Sequence, residues 1–236
     1  GARGGNTGVA DADNLAWKLA AVLRGKAHQN LLTSYHEERL EAAQQNVQVT
    51  NRTARFLRPA EGVEQLFRTA AIGLARQYPF ARSLINTGRM AVANPYHRSG
   101  ACSYAPGSAA GQSVQNVFFA WPDGSPGNVN QLLDWAAGDL LLLVFADLSA
   151  ASLQRLRRLG VDAPVRCVQV LGPDAPAQAL EHVRDPKGHL QGACHVFGHA
   201  WALVRPDGYL AATGESINGQ LVTAIEHSLG LQGATA

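Results

Sequence analysis

Apolar positions divide the chain into a helical half and a mixed half. Leu15, Leu19, Val22 and Leu23 recur at helical spacing, as the apolar face of an amphipathic helix, and Gly25 supplies a stop. A longer helix is predicted from Leu31 to about Leu57, carrying Leu32, Tyr35, Ala43, Val47 and Ala54 among many polar residues, and Pro59 ends it. From Gly62 to Ala93, Val63, Leu66, Phe67, Ala70, Ile72, Leu74, Phe80, Leu84 and Ile85 keep roughly helical spacing. The break at Tyr78-Pro79 divides that stretch into two further helices.

Residues 94–113 change character, with Pro95, Gly100, Pro106, Gly107 and Gly111 among many Ser and Ala, and read as a linker. Beyond it, Val117–Trp121 reads as a strand and Pro122–Gly127 as a turn. Val129–Ala136 fits either a short helix or a strand-like segment. Leu140–Ala146 is a continuous apolar run, typical of a strand buried on both faces. Ser149 caps a helix over Ala150–Leu159, Val165–Leu171 is the next strand, and Ala175–Val183 a short helix. His199–Val204 and Tyr209–Thr213 form a hairpin around Arg205-Pro-Asp-Gly208, and Asn218–Leu229 is a last helix with Leu221, Ile225 and Leu229 on one face. The class is α/β, and this order of elements looks like a thioredoxin-like domain, residues 114–236, with helices on both faces of a mixed sheet.

A chain of 236 residues is long enough for one large domain, or a small one with an extension. Its net charge of +2 argues for neither nucleic acid nor an anionic membrane as partner. No apolar run approaches the roughly twenty residues of a membrane span, and there is no secretory signal. Cys102, Cys167 and Cys194 suit a reducing, cytoplasmic setting better than a disulfide framework. Without a secretory context, the sequon Asn51-Arg-Thr53 carries no meaning. The chain has no initiating Met and starts inside a motif, as expected of a fragment of a longer protein.

That motif is Gly1-Ala-Arg-Gly-Gly-Asn-Thr-Gly8, a glycine-rich loop running into the first helix. Its glycines permit positive φ and remove Cβ atoms that would keep a ligand from the backbone. Asn6 or Thr7 is placed to cap the helix, whose unpaired amides and positive dipole end favour an anion. Composition alone equally fits a poorly ordered N-terminus, and the glycine spacing is wrong for a Rossmann fingerprint.

The run from Gly4 to Ala20, followed by Leu31-Leu-Thr-Ser-Tyr-His-Glu-Glu-Arg39, resembles the second flavin-binding segment of FAD-dependent aromatic hydroxylases, the phenol and 3-(3-hydroxyphenyl)propionate hydroxylase type, over about forty positions in order. Leu203-Val-Arg-Pro-Asp-Gly-Tyr-Leu-Ala211 resembles a phrase of the C-terminal domain of the same enzymes. The resemblance implies that residues 1–93 are helices left over from the FAD and substrate domain. It implies a monooxygenase that hydroxylates a small phenolic or aromatic substrate with FAD, NADH or NADPH, and O2. Gly4, Gly5, Asn6, Thr7 and Gly8 would meet the polar edge of the flavin ring, where negative charge develops on reduction. Tyr35 and the Glu38-Arg39 pair match a stretch that ties the second helix to the flavin domain, read as a half-buried aromatic and a surface ion pair. The family habit also implies a homodimer and exposed apolar surface on residues 62–93.

No residue present has a claim to be the catalytic acid or base, and the fragment alone is expected to bind no FAD stably and to be inactive. Disulfide exchange would need Cys-x-x-Cys at a helix N-terminus, which is missing. His182, His189, Cys194, His195 and His199 fall close together but match no compact zinc pattern, so no metal is expected. The competing reading is a non-catalytic thioredoxin-like module that serves assembly.

Overall fold

A computed structural model describes residues 4–85, 92–177 and 180–231, without the side chains of 83 and 84. Two compact units emerge. One joins Gly1–Ala12 to Arg39–Asn94, and the other joins Asp13–Glu38 to Pro95–Ala236.

Four helices make up the first part of the chain: α1 (Gly4–Leu23), α2 (Leu31–Leu57), α3 (Val63–Gln77) and, after a 3₁₀ turn at Pro79–Ala81, α4 (Arg82–Ile85). The bounds of α2 follow its pattern, and the break at Tyr78-Pro79 falls where proline removes a donor and biases its predecessor to an extended backbone, φ −124° and ψ 121° at Tyr78. Helical structure begins by Gly4 among the described residues, so Gly4, Gly5, Asn6, Thr7 and Gly8 are helix, not loop. Three of these five are glycines, poor helix formers, but the helix that follows is long enough to propagate back through them.

Within the first unit, Asn46 Nδ2 donates to Thr7 Oγ1 at 3.1 Å and Arg39 Nε to Asp11 Oδ1 at 2.5 Å. Thr7 therefore spends its hydroxyl on α2 rather than on capping. Arg55 pairs with Glu64, whose other oxygen accepts from the Ala60 amide at 3.1 Å, closing the turn between α2 and α3.

The second unit holds a seven-stranded mixed sheet: β1 (Phe118–Ala120), β2 (Pro126–Asn128), β3 (Leu140–Val144), β4 (Val165–Leu171), β5 (His182–Arg184), β6 (Trp201–Val204) and β7 (Leu210–Gly214), in the order β2-β1-β5-β4-β3-β6-β7. β3, β4 and β5 are parallel, and the remaining pairings are antiparallel. All five residues of β3 are buried because its alternate side chains feed different cores. Leu141 and Leu143 join the core under α5 (Val129–Ala136) and α7 (His189–Ala193), with Leu132, Val129 and Leu190. Leu140, Leu142 and Val144 join the core under α6 (Ala150–Asp162) and α8 (Gly219–Ser228), with Leu156, Leu221 and Ile225. Each such side chain contributes about 1.5–3 kcal/mol relative to exposure.

Local chemistry explains several boundaries. Asn128 and Gln131 form a reciprocal capping box that settles Val129–Ala136 as a helix, and the Ser149 hydroxyl accepts from the Ser152 amide at the start of α6. One expectation fails: Ala175–Val183 is not a helix. β5 occupies His182–Arg184 in parallel register with β4, and the described part of the approach to it is irregular; residues 178 and 179 lie outside the described set. Pro173 and Pro176 deny it helical donors, and Arg184 holds it open by donating to the carbonyls of Gly172, Pro173 and Ala175. Nor does the pattern announce α7, which starts where the Asp185 carboxylate accepts the amides of His189 and Leu190 at 2.9 and 2.7 Å.

Residues 95–112 lack regular structure, as their composition predicts, yet they are packed rather than free. Tyr96, Ala101 and Cys102 are buried, and Gly111, at φ +81°, lies so close to the Tyr96 carbonyl that a Cβ there would meet it at 1.9 Å.

Candidate functional site

The most concentrated chemistry lies within the second unit, on a face of α1 that the leucine pattern does not mark. Leu19 and Leu23 are exposed, 40% and 77%, while Asn14, Trp17, Lys18 and Ala21 point inward. These residues repeat at three- and four-residue steps, so they form one stripe, half of it polar.

That stripe meets Glu38 of α2, whose carboxylate is wholly buried. Its Oε1 accepts from Arg205 Nη1 at 2.6 Å and from the Ser99 hydroxyl; its Oε2 accepts from Asn14 Nδ2 at 2.6 Å, Lys18 Nζ at 2.8 Å and Arg205 Nη2 at 2.9 Å. Arg205 also grips Asp207, Nε to Oδ1 at 3.0 Å and Nη2 to Oδ2 at 2.5 Å. Its guanidinium stands 5.3 Å from the Trp17 ring centre and 5.6 Å from those of Tyr96 and Tyr209, which stack on each other. Such a fork between two carboxylates and among three rings is arginine chemistry that lysine does not reproduce.

Electrostatics follow from the packing. Burial alone would raise the Glu38 carboxyl, but the Arg205 and Lys18 cations more than reverse that and hold it at about 2. Burial, with repulsion from Arg205, brings the Lys18 ammonium down to about 8 against the pull of Glu38. Burial also pushes up the Cys102 thiol, 3.6 Å from Arg205 Nη1, and, with the Asp207 charge, the Asp13 carboxyl. Two cations face two carboxylates here, with Asn14 and Ser99 completing the coordination of Glu38. The arrangement suits a fixed anchor. Its charged members spend their hydrogen bonds within the cluster, while Asn14 Oδ1 and Trp17 Nε1 are buried without a partner.

Glu38 and Arg39 are therefore no surface ion pair. They leave α2 in different directions, Glu38 to Lys18 and Arg205, Arg39 to Asp11. Tyr35 is half-buried as expected. Asn14, Trp17, Lys18, Ser99 and Asp207 escaped the sequence reading; the available signal was a polar pair, Asn14 and Lys18, flanking Trp17 at helical spacing.

At the start of α1, ideal Cβ atoms placed on Gly4, Gly5 and Gly8 meet nothing within 4 Å. The first amides of a helix lack internal acceptors, so this turn offers donors and close backbone approach to an anionic group. The open space over Gly4, Gly5 and Gly8 leaves room for a planar group against this backbone. Cys102, Cys167 and Cys194 are buried and free, and burial pushes the Cys167 and Cys194 thiols up to about 12. His182 lies on β5, His189 opens α7, and His195 is exposed at φ +53°. No three His, Cys, Asp or Glu side chains gather as a metal site among the described residues. Nor is any described helix long and apolar enough to cross a membrane.

Comparison with known proteins bears on the opening segment and on the whole. Residues 1–50 match the FAD binding domain family. The chain is 32% identical to 6-methylpretetramide 4-monooxygenase of Streptomyces rimosus, over 94% of this chain and 40% of that protein. It is 28% identical to a 3-(3-hydroxy-phenyl)propionate/3-hydroxycinnamic acid hydroxylase of Klebsiella pneumoniae, over 99% of this chain and 44% of that protein. Among solved structures, the anhydrotetracycline hydroxylase OxyS from Streptomyces rimosus superposes with a TM-score of 0.64 at 25% identity, covering 95% of this chain and 41% of that one. The chain thus spans about two-fifths of the length of the relatives it matches.

Proposed function

From a chain that is related over nearly its whole length to the FAD-dependent aromatic hydroxylases, we propose that the intact protein is a monooxygenase acting on a small phenolic or other aromatic substrate. The observation that carries this reading is the flavin-binding match at residues 1–50, in a chain whose similar proteins include ones named as monooxygenases and hydroxylases. Bound FAD, reduced by NADH or NADPH, supplies the activation of O2.

The part of this chain is positioning. Gly4, Gly5, Asn6 and Thr7 present backbone amides to the polar edge of the ring, favouring the charge that grows there on reduction, and Gly8 lies one turn on along the same backbone. Glycine at 4, 5 and 8 lets the ring approach the backbone. None of the residues present serves as acid or base, so chemistry and the nicotinamide site fall to the remainder of the protein, and the chain alone holds no FAD and is inactive.

Residues 114–236 are, on this reading, a thioredoxin-like domain. Support comes from the parallel β3-α6-β4 unit, the antiparallel β6-β7 hairpin beside β3, and α8 packed after it. The buried thiols favour a structural role for it over thiol chemistry. A cytoplasmic homodimer completes the reading, supported by the free cysteines and by the exposed Val63, Leu66, Phe67 and Leu74 of α3.

The test is a chimera in which this chain replaces the homologous part of a 3-(3-hydroxy-phenyl)propionate hydroxylase. Retained flavin and aromatic-dependent oxidation of NADH or NADPH are expected, and Gly8→Val should reduce flavin occupancy. A folded chimera that retains flavin but consumes no reduced nicotinamide with any phenol would refute the assignment.

A further inference from the structure

We propose that Arg205 is a positioning residue for the flavin-family segment: through Glu38 and Lys18 it locks residues 13–38 onto the β-sheet domain, so that the two fold and open as one. The word flavin here rests on the proposed function; the lock does not.

Residues 13–38 lie far in sequence from 95–236, yet both belong to one compact unit. The apolar contribution to that docking is a cluster of Trp17, Ala21, Leu31 and Ala101, with Val22 and Ala27 half-buried against it and Ala27 also against the core under α6 and α8. The rest of the buried face of α1 is Asn14 and Lys18, which water would solvate well if the face opened. Docking therefore depends on the partners these groups find. Both donate to Glu38, which Arg205 grips, and Asn14 Nδ2 also reaches Asp207 Oδ2 at 3.0 Å.

The geometry admits one register. Moving α1 by a turn along its axis would bury Lys18 away from Glu38 and leave a carboxylate with unmet acceptors. Arg205 is the centre of the anchor: its fork engages Glu38 on one side and Asp207 on the other, while Trp17, from the docked segment, shares its faces with Tyr96 and Tyr209 of the domain. Lys26 Nζ to Asp139 at 2.6 Å and the His28 amide to the Leu229 carbonyl at 2.9 Å are separate, peripheral links. Asp207 and Arg205 come from the tight turn between β6 and β7, whose geometry the neighbouring strands fix independently of the helices. The turn is the receptor and the helical segment its ligand.

Tryptophan makes the lock visible. The chain has four, of which Trp17 lies on the docked segment and Trp121, Trp135 and Trp201 in the sheet domain. With 5-fluorotryptophan incorporated, fluorine NMR of the whole chain should show all four signals collapsing at one urea midpoint. In Arg205→Lys the Trp17 signal should shift and broaden in native buffer while Trp121 and Trp135 keep their positions, and it should collapse at lower urea than the other three. Glu38→Gln, isosteric and milder, should repeat the pattern and carries the test if Arg205→Lys does not fold. A Trp17 signal unmoved in native buffer, or four signals that still collapse together at a lower midpoint in the variants, overturns the lock in favour of general stabilisation. Flavin affinity is read separately, in the chimera described above, where Arg205→Lys should weaken binding at least tenfold. Trp17 release without that loss supports the lock and removes the flavin reading instead.

Discussion

Acid should expose the Glu38 anchor more sharply than any other single group. The folded carboxyl is held at about 2, against an ordinary value of 4.5. Its folded value is depressed, so its stabilisation is fully present above the unfolded value and is lost as pH falls from about 4.5 toward 2. The gap corresponds to about 3 kcal/mol at neutral pH, of which about 2 kcal/mol is gone by pH 3. Other carboxylates titrate over the same window, so the reference is Glu38→Gln, which keeps the shape and removes the proton site. Removing one partner of a buried cluster costs about 3–5 kcal/mol at pH 7, because Lys18 and half of Arg205 lose their counter-charge. Urea unfolding at pH 7, 5, 4 and 3 measures both proteins. Wild type should be the more stable at pH 7, with the advantage shrinking by about 2 kcal/mol at pH 3. Parallel stability curves, with the gap unchanged across that range, would refute the placement of Glu38 among its cations.

Other consequences are independent of that one. The Lys18 ammonium sits at about 8 when folded, below its ordinary 10.5, so the folded state releases its proton first; relative to Lys18→Met, wild-type stability should rise between those values in urea melts. Gly111→Ala places a Cβ 1.9 Å from the Tyr96 carbonyl at φ +81° and should lower stability by about 3 kcal/mol or more in thermal or urea unfolding. Asn128→Ala removes half of the capping box of α5 and should cost about 1 kcal/mol by the same assay. Because Cys102, Cys167 and Cys194 are all buried, a thiol reagent should titrate them slowly in native buffer and rapidly in denaturant; fast native labelling would contradict their packing.

Wherever one rule acts alone, sequence was sufficient. Helix α2, strand β4 and the β6–β7 hairpin follow from period and turn chemistry, since a side-chain repeat of 3.6 or 2 needs no knowledge of distant residues. The resemblance to flavin hydroxylases was also readable, because a motif contiguous in sequence, Gly4 to Ala20, survives in linear order even though its glycines fold as helix rather than loop. Tertiary structure decided what lies opposite. Strand β5 displaced an expected helix because β4 offered an open edge and two prolines withheld donors. Of the apolar face expected on α1, Leu19 and Leu23 point outward while Leu15 and Val22 are half-buried, because the chain centres its buried stripe on Asn14, Trp17 and Lys18, a choice that pays only once Glu38 and Arg205 arrive from positions far apart. Polar burial is worth nothing until its partners are in place, and only the folded chain supplies them.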